Sequence, residues 1–259
     1  MSIEYRIEKD SMGELKVPKE ALYAAQTQRA VQNFPISGLM MPKAFIQAVA
    51  LIKQSAAEVN QELGLLDTEL ASAIQEASET LIQGQYLDHF PIDVFQTGSG
   101  TSTNMNANEV IATLASKLGS QAVNPNDHVN MGQSSNDTIP TAIHLSAAIE
   151  CRRKLLPAME HLENTITKKA LGLGDAVKTG RTHLMDAMPL TMEQELGAWA
   201  LQIRNGRARI EMALERICRL AQGGTAVGTG TNAHPDFASR MARRLSEKTG
   251  IGFSANTSF

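Results

Sequence analysis

Three stretches of this chain carry more uncharged hydrogen-bond donors than a turn requires. The first, Thr97-Gly98-Ser99-Gly100-Thr101-Ser102-Thr103-Asn104-Met105-Asn106-Ala107-Asn108-Glu109, holds two Gly, two Ser, three Thr and three Asn and no basic residue. It passes into the apolar helical pattern Val110-Ile111-Ala112-Thr113-Leu114-Ala115. The second is Gln133-Ser134-Ser135-Asn136-Asp137, and the third, Gly180-Arg181-Thr182-His183-Leu184, adds an imidazole. Each is expected to be a turn leading into a helix. Helix N-termini present unpaired N–H groups and a partial positive charge, which suits an anion. Ser, Thr, Asn and Asp before a helix ordinarily act as caps. Three runs with more polar groups than caps need favour one site for a small carboxylate.

Helices must carry these runs. Only Tyr5-Arg6-Ile7-Glu8 and Glu14-Leu15-Lys16-Val17 read as strands, joined by a turn at Asp10-Ser11-Met12-Gly13 and ended by Pro18. Residues 21–31, 43–63 and 67–82 show apolar spacing of three and four. Asp67 is placed to cap the third of these and Gly64 to end the second. Residues 119–140 read as loop, with Asn124-Pro125-Asn126-Asp127 and Pro140. Two longer helices are expected over about 141–170 and 190–221, the second on the order of 45 Å. In it Leu196, Ile203, Ile210 and Ile217 fill one heptad seam, and Trp199, Gly206, Ala213 and Leu220 the other. The fold class is therefore mainly α: a small N-terminal domain over residues 1–133 with a short β-hairpin and helices, then a partial long-helix bundle over 134–259. A long amphipathic helix without a full bundle leaves an apolar stripe uncovered. The expectation is a truncated chain or one completed by other subunits.

The 259 residues are 42% hydrophobic and 20% charged, with a net charge of −3. That balance gives no basic surface for nucleic acid or for an anionic membrane. Cys151 and Cys218 lack any CxxC spacing and read as buried thiols in a reducing compartment. No charged-then-apolar leader opens the chain, and no run approaches about 18 apolar residues. A cytoplasmic protein is expected. His128, His144, His161 and His234 form no ligand pattern with Cys or carboxylates, so neither a metal nor another cofactor is expected. Gly228-Thr229-Gly230-Thr231-Asn232-Ala233 fits a loose GxGxxA, but a dinucleotide fingerprint needs a preceding strand, where a long helix is expected. The glycines of 223–230 are expected instead to permit a tight turn where helices of different subunits approach.

The motifs together resemble class II fumarase, in the fumarase/aspartase superfamily. The matching segments are Ala25-Gln26-Thr27-Gln28-Arg29-Ala30 with Asn33-Phe34-Pro35-Ile36-Ser37-Gly38, and the run 97–109. Asn124-Pro125-Asn126-Asp127-His128-Val129-Asn130, Gln133–Asp137, Gly180–Leu184 and Gly223–Gly230 follow in the same order. The resemblance implies a lyase of the tricarboxylic acid cycle that hydrates fumarate to L-malate. It also implies a homotetramer whose sites draw on three subunits. Family members are longer: their Gly-Ser-Ser loop, with a Met-Pro-x-Lys-x-Asn-Pro sequence, is absent here. In fumarases that loop supplies the proton-abstracting serine, so this chain by itself is expected to be inactive.

The family's residues carry over by position. His183 matches a catalytic histidine that positions water or transfers a proton, a role suited to an imidazole titrating near neutrality; its alternative is a histidine that only bonds a neighbouring helix. Ser99 and Thr101 match carboxylate ligands, or else form a turn. Ser134, Ser135 and Asn136 match a second substrate-binding segment, or cap the following helix, and Thr182 adds a donor beside His183. Asn124, Asn126 and Asp127 map to an accessory surface site, or form a plain turn. Fumarases often have His where this chain has Asn124, whereas aspartases resemble it there; aspartases usually have Gln in place of His183. The reaction generates an aci-carboxylate with extra negative charge, which preorganised donors stabilise. Fumarate hydratase is the expected function. Aspartate ammonia-lyase is the alternative enzyme, and a non-catalytic helical assembly module the alternative of another class.

Overall fold

The computed structural model describes residues 4–10 and 12–259. They are mainly α-helical and cluster into two compact units. One runs to Ser146 and resumes over Cys218–Phe259; the other is Ala147–Ile217.

The first unit opens with β1 (Tyr5–Asp10) and β2 (Gly13–Pro18), paired antiparallel from Tyr5↔Pro18 to Asp10↔Gly13. Both expected strands are present and slightly longer than the alternation implied. The expected turn includes Ser11, which lies outside the described residues. The Arg6 guanidinium donates to the carbonyls of Pro18, Lys19, Ala21 and Tyr23, and so ties the hairpin to the chain entering α1 (Ala25–Asn33).

Helix α1 starts at Ala25 rather than Ala21, and no local side chain caps it. Its cap comes from α4 (Thr101–Leu118). The buried Glu109 carboxylate accepts from the N–H groups of Ala24 (2.9 Å), Gln26 (3.0 Å) and Thr27 (3.1 Å). A carboxylate is favourable at a helix N-terminus on both hydrogen-bonding and dipole grounds.

Helices α2 (Lys43–Glu62) and α3 (Thr68–Ile82) pack on each other, and α3 packs on α4. Val49 and Ile52 of α2, Ile74 and Leu81 of α3, and Val110 and Ile111 of α4 are almost fully buried. Each such side chain contributes roughly 1.5–3 kcal/mol of transfer free energy. Interleaved alanines, among them Ala71, Ala77 and Ala115, let the axes approach. Asp67 caps α3 as its position implied: its carboxylate accepts from Glu69 N–H (2.8 Å) and Leu70 N–H (3.3 Å). Asp67→Ala is expected to lower stability by about 1 kcal/mol, read as a lower urea midpoint at constant m-value.

Helix α5 (Ser135–Glu150) starts six residues before the expected 141 and contains Pro140. The loop expected over 119–140 therefore ends at Ser134, and Pro140 does not break the helix. Proline deletes one N–H donor near the start of the helix, and burial of Thr138, Ile139, Thr141 and Ala142 holds the turn regardless. A π turn over Pro125–Val129 precedes α5, and a π segment over Cys151–Leu155 follows it. The unit ends with β5 (Arg219–Leu220), α8 (Phe237–Thr249) and β6 (Ser254–Ala255), the two short strands pairing in parallel.

The second unit holds α6 (Leu156–Leu171), β3 (Val177–Thr182), β4 (Met185–Thr191) and α7 (Met192–Ile217). Helices α6 and α7 run antiparallel, joined across by Arg204 Nε to the buried Glu163 (2.6 Å). The first expected seam is the better covered, with Leu196 buried and Ile203, Ile210 and Ile217 half-buried, and of the second Gly206 faces α6, where a Cβ would lie 3.3 Å from Met159. Trp199 and Ala213 of the second are exposed, and Leu220 lies beyond the helix on β5. In their place Ala200 and Leu214 are buried, because one partner covers one flank of a helix.

Candidate active site

In the first unit, two of the three donor runs meet. Gly100, in the left-handed conformation (φ +71°), is the N-cap of α4, where an added Cβ would press on Ile139 at 3.0 Å. The cap is not made by the run's own hydroxyls. Gln96 makes it, its side-chain oxygen accepting from Thr103 N–H (2.9 Å) while its amide donates to Thr103 Oγ1 (2.8 Å). Ser99 and Thr101 are exposed, and their hydroxyls bond each other at 2.9 Å. Neither hydroxyl caps the helix, their mutual bond is compatible with the alternative of a turn, and the pair stands at the positive end of an 18-residue helix.

The second run divides its labour. Ser134 is a cap: its Oγ accepts from Asn136 N–H (3.2 Å), and Asp137 Oδ1 accepts from Ser134 N–H (2.9 Å). This reciprocal pair is a form of capping box. Ser135 Oγ accepts from Asn104 of α4 (3.0 Å), and Asn136 donates to the Ala226 carbonyl (2.8 Å). The buried Asp137 also accepts, through Oδ2, from Gly223 N–H and Thr225 N–H, each at 3.0 Å. Asp137 and Asn136 thus hold the glycine-rich turn against the start of α5.

That turn approaches its own chain closely. Gly223 has φ +100°, and a Cβ there would lie 2.5 Å from Ala238 Cβ of α8. The close approach expected between subunits is made here to a helix of the same subunit. The strand expected to be missing before the glycines is present as β5, and α8 lies between it and its parallel partner β6. Six residues still separate Gly230 from the start of α8, so the glycines do not open a helix as a dinucleotide loop does.

Beneath both runs lies a residue the pattern reading passed over. Lys53 of α2 is fully buried, and its ammonium donates to Asn130 Oδ1 (2.8 Å) and Gln133 Oε1 (2.9 Å). Burial pushes its pKa down to about 7, with the Asp137 charge opposing the shift. Asn130 Oδ1 also accepts from Asn104 (3.2 Å), which makes a continuous network from α2 to α4 and α5. The available signal was a lysine on the apolar face of α2, one residue after Ile52 and four after Val49.

Asp93 anchors the chain ahead of the first run. It is buried and accepts from the N–H groups of Ser37 (2.6 Å), Gly38 (2.7 Å) and Phe95 (2.8 Å), and from the Ser37 hydroxyl. Burial alone raises its pKa, but these bonds outweigh it and bring it down to about 2. A folded pKa below the unfolded value contributes stability that is complete above the unfolded pKa and is lost as pH falls. Wild-type stability is therefore expected to decline between about pH 4 and pH 2, with a flatter profile in Asp93→Asn, as followed by urea unfolding across that window.

The accessory-site residues form a local turn. Asn124 Oδ1 accepts from Asn126 N–H (2.8 Å) and Asp127 N–H (3.0 Å), and His128 Nδ1 accepts from Asn124 N–H (3.0 Å). Asn126 and Asp127 are exposed.

In the second unit, the third run departs from expectation. It does not open a helix but forms the end of the β3–β4 hairpin, with Thr182 paired to Met185. His183 (φ +51°) and Leu184 (φ +63°) are the two residues of the turn. Two left-handed residues match the right-handed twist of a hairpin. Left-handed backbone is uncommon for His and rarer for Leu. Strain of this kind clusters at functional turns. Thr182 and His183 are both exposed.

Among the described residues there is no group of three His, Cys, Asp or Glu placed to hold a metal ion, and no helix long and apolar enough to cross a membrane. Cys151 and Cys218 are half-buried and form no disulfide.

This mainly helical chain brings polar, uncharged helix N-termini together on a buried network. It belongs to the lyase family, whose profile matches residues 13–259. It is 58% identical over 254 residues to a class II fumarate hydratase of Pseudomonas aeruginosa, a match spanning 98% of this chain and 56% of that protein. It is 57% identical over 256 residues to a class II fumarate hydratase of Xylella fastidiosa, spanning 98% of this chain and 54% of that one. The crystal structure of a class II fumarase from Schistosoma mansoni superposes with a TM-score of 0.95 at 38% identity, over 98% of this chain and 58% of that chain. The chain thus spans about half the length of the curated relatives it matches.

Proposed function

We propose that this chain forms the N-terminal domain, over 1–133, and part of the helical domain, over 134–259, of a fumarate hydratase subunit. The complete protein interconverts fumarate and L-malate as a cytoplasmic homotetramer. The observation that carries this reading is the pair of hydroxyls on Ser99 and Thr101, at a helix N-terminus and not engaged in capping it. Ser135 and Asn136 add donors from the start of α5, and His183 and Thr182 supply the imidazole and a further hydroxyl. Removing a proton beside a carboxylate builds charge on that carboxylate. Fixed neutral donors stabilise the added charge more than they stabilise the ground state. The reading calls on no metal or cofactor.

The decisive experiment follows fumarate absorbance after L-malate or L-aspartate is added. It compares this chain with the complete subunit, in which the chain is joined to the family's Gly-Ser-Ser region. Malate turnover by the complete subunit and none by the chain is the expected result. Aspartate turnover would replace the reading with aspartate ammonia-lyase. Malate turnover by the chain alone would remove the essential base from the missing region. If the complete subunit turned over neither, the protein would be a helical assembly module.

A further inference from the structure

We propose that Lys53 is a positioning residue that sets the direction of the hydrogen bonds beneath the site, so that the Ser135 hydroxyl is left to donate. The identity of its acceptor, a substrate carboxylate, rests on the fumarate hydratase reading; the direction of the network does not.

The direction of each bond follows from which groups can only donate. A lysine ammonium carries three N–H donors and no acceptor, and a side-chain NH2 donates while its paired oxygen accepts. The two ends of an Asn or Gln amide are told apart by their partners. Lys53 Nζ lies 2.8 Å from one end of Asn130, so that end is the oxygen, and the Asn130 NH2 turns to the Gln133 carbonyl at 3.3 Å. The same Asn130 oxygen receives Asn104 Nδ2 at 3.2 Å, which makes that end of Asn104 the NH2. Asn104 Nδ2 also reaches Ser135 Oγ at 3.0 Å. Ser135 Oγ is therefore an acceptor towards the interior, and its own proton must point elsewhere.

A second contact locks the arrangement. Lys53 also donates to Gln133 Oε1 at 2.9 Å, which leaves the Gln133 NH2 facing the carbonyls of Val129 and Met131. Only the ammonium forces this polarity: a deprotonated amine would keep two N–H donors but also offer a lone pair to which an amide NH2 could donate. Asn104 is almost wholly buried, so no solvent competes for its NH2. Without Lys53, the Asn130 amide can turn over and present its NH2 to Asn104. Asn104 then turns its oxygen to Ser135, the hydroxyl donates inward, and a carboxylate outside loses a donor.

The test uses Lys53→Met, which keeps the length of the side chain and removes every donor. In this chain, wild-type and variant are compared by thermal unfolding and by the side-chain amide signals of Asn104 and Asn130 in nitrogen-15 NMR. In the complete subunit, they are compared by KM and kcat for L-malate. The expected outcome is a folded variant whose Asn104 and Asn130 signals move, with KM raised about tenfold or more and kcat changed less, the size of one lost hydrogen bond to a charged group. The expected loss is also non-additive with Ser135→Ala, since both remove the same donor. A folded Lys53→Met with unmoved signals and an unchanged KM overturns the proposal. If Lys53→Met does not fold, Asn130 decides. Asn130→Asp presents only acceptors and cannot reverse, so it is expected to raise KM about tenfold less than Asn130→Leu; equal effects overturn the proposal. A complete wild-type subunit that leaves malate untouched sinks the functional reading, and the amide signals still decide the role of Lys53.

Discussion

Replacing Asp137 by alanine is expected to lower the stability of this chain by about 3–5 kcal/mol, the range for breaking a buried charged arrangement by removing one partner. The carboxylate is 1% exposed and accepts from three backbone N–H groups, of Ser134, Gly223 and Thr225. In Asp137→Ala all three donors lose their acceptor, two of them where water does not reach. Lys53 loses its nearby opposite charge as well, which leaves its ammonium less compensated. The loss is read as a lower urea midpoint at constant m-value. Asp137→Asn keeps the shape and one acceptor oxygen, so a smaller loss is expected. A change within about 1 kcal/mol for Asp137→Ala would mean that the glycine-rich turn is held by other contacts.

The second large effect is catalytic. His183→Asn in the complete subunit is expected to lower kcat for L-malate by about 10²- to 10⁴-fold, the usual contribution of a positioned acid or base. KM should change far less. Asparagine is the informative replacement because it tolerates the left-handed backbone of His183 (φ +51°), so the hairpin turn survives. His183 is exposed in this chain, and the urea midpoint should move by less than about 0.5 kcal/mol equivalent. Steady-state rates for the two proteins provide the check. A kcat within threefold of wild type would assign the proton transfer elsewhere and leave His183 as a turn residue. His183→Gln adds a sharper comparison, since aspartases usually carry Gln there; gain of aspartate turnover would make this position the switch between the two substrates.

Much of the first unit could be read from the order of residues. The β1–β2 hairpin, the Asp67 cap and the spans of α2 and α3 depend on neighbours two to four positions away, and local rules reach that far. Prolines and glycines misled where tertiary packing overrode them. Pro140 sits inside α5 because its neighbours Ile139 and Ala142 are buried. The start of α1 moved to Ala25 because its cap, Glu109, stands on α4, more than eighty residues along the chain. The third donor run shares the composition of the other two, which predicts a helix entry, yet it closes a hairpin. Its strand partner, residues 185–191, carries Met, Ala and Pro rather than a clear alternation.

Residue types and spacing by themselves determined the chemical character of the proposed site: hydroxyls, amides and one imidazole, groups that would suit a small carboxylate. They also determined a mainly helical chain, since apolar spacing and the family motifs run in order along it. Only the tertiary structure decided which of those donors have work already. Ser134 caps α5, whereas Ser99 and Thr101 do not cap α4, because Gln96 does. Only the tertiary structure showed that Lys53 lies beneath the site, bonded to residues 77 and 80 positions away. The physical reason is that a hydrogen bond is satisfied by whatever group folding brings within about 3 Å. A run of donors has the same composition whether its protons face a ligand, a helix end or a buried amide.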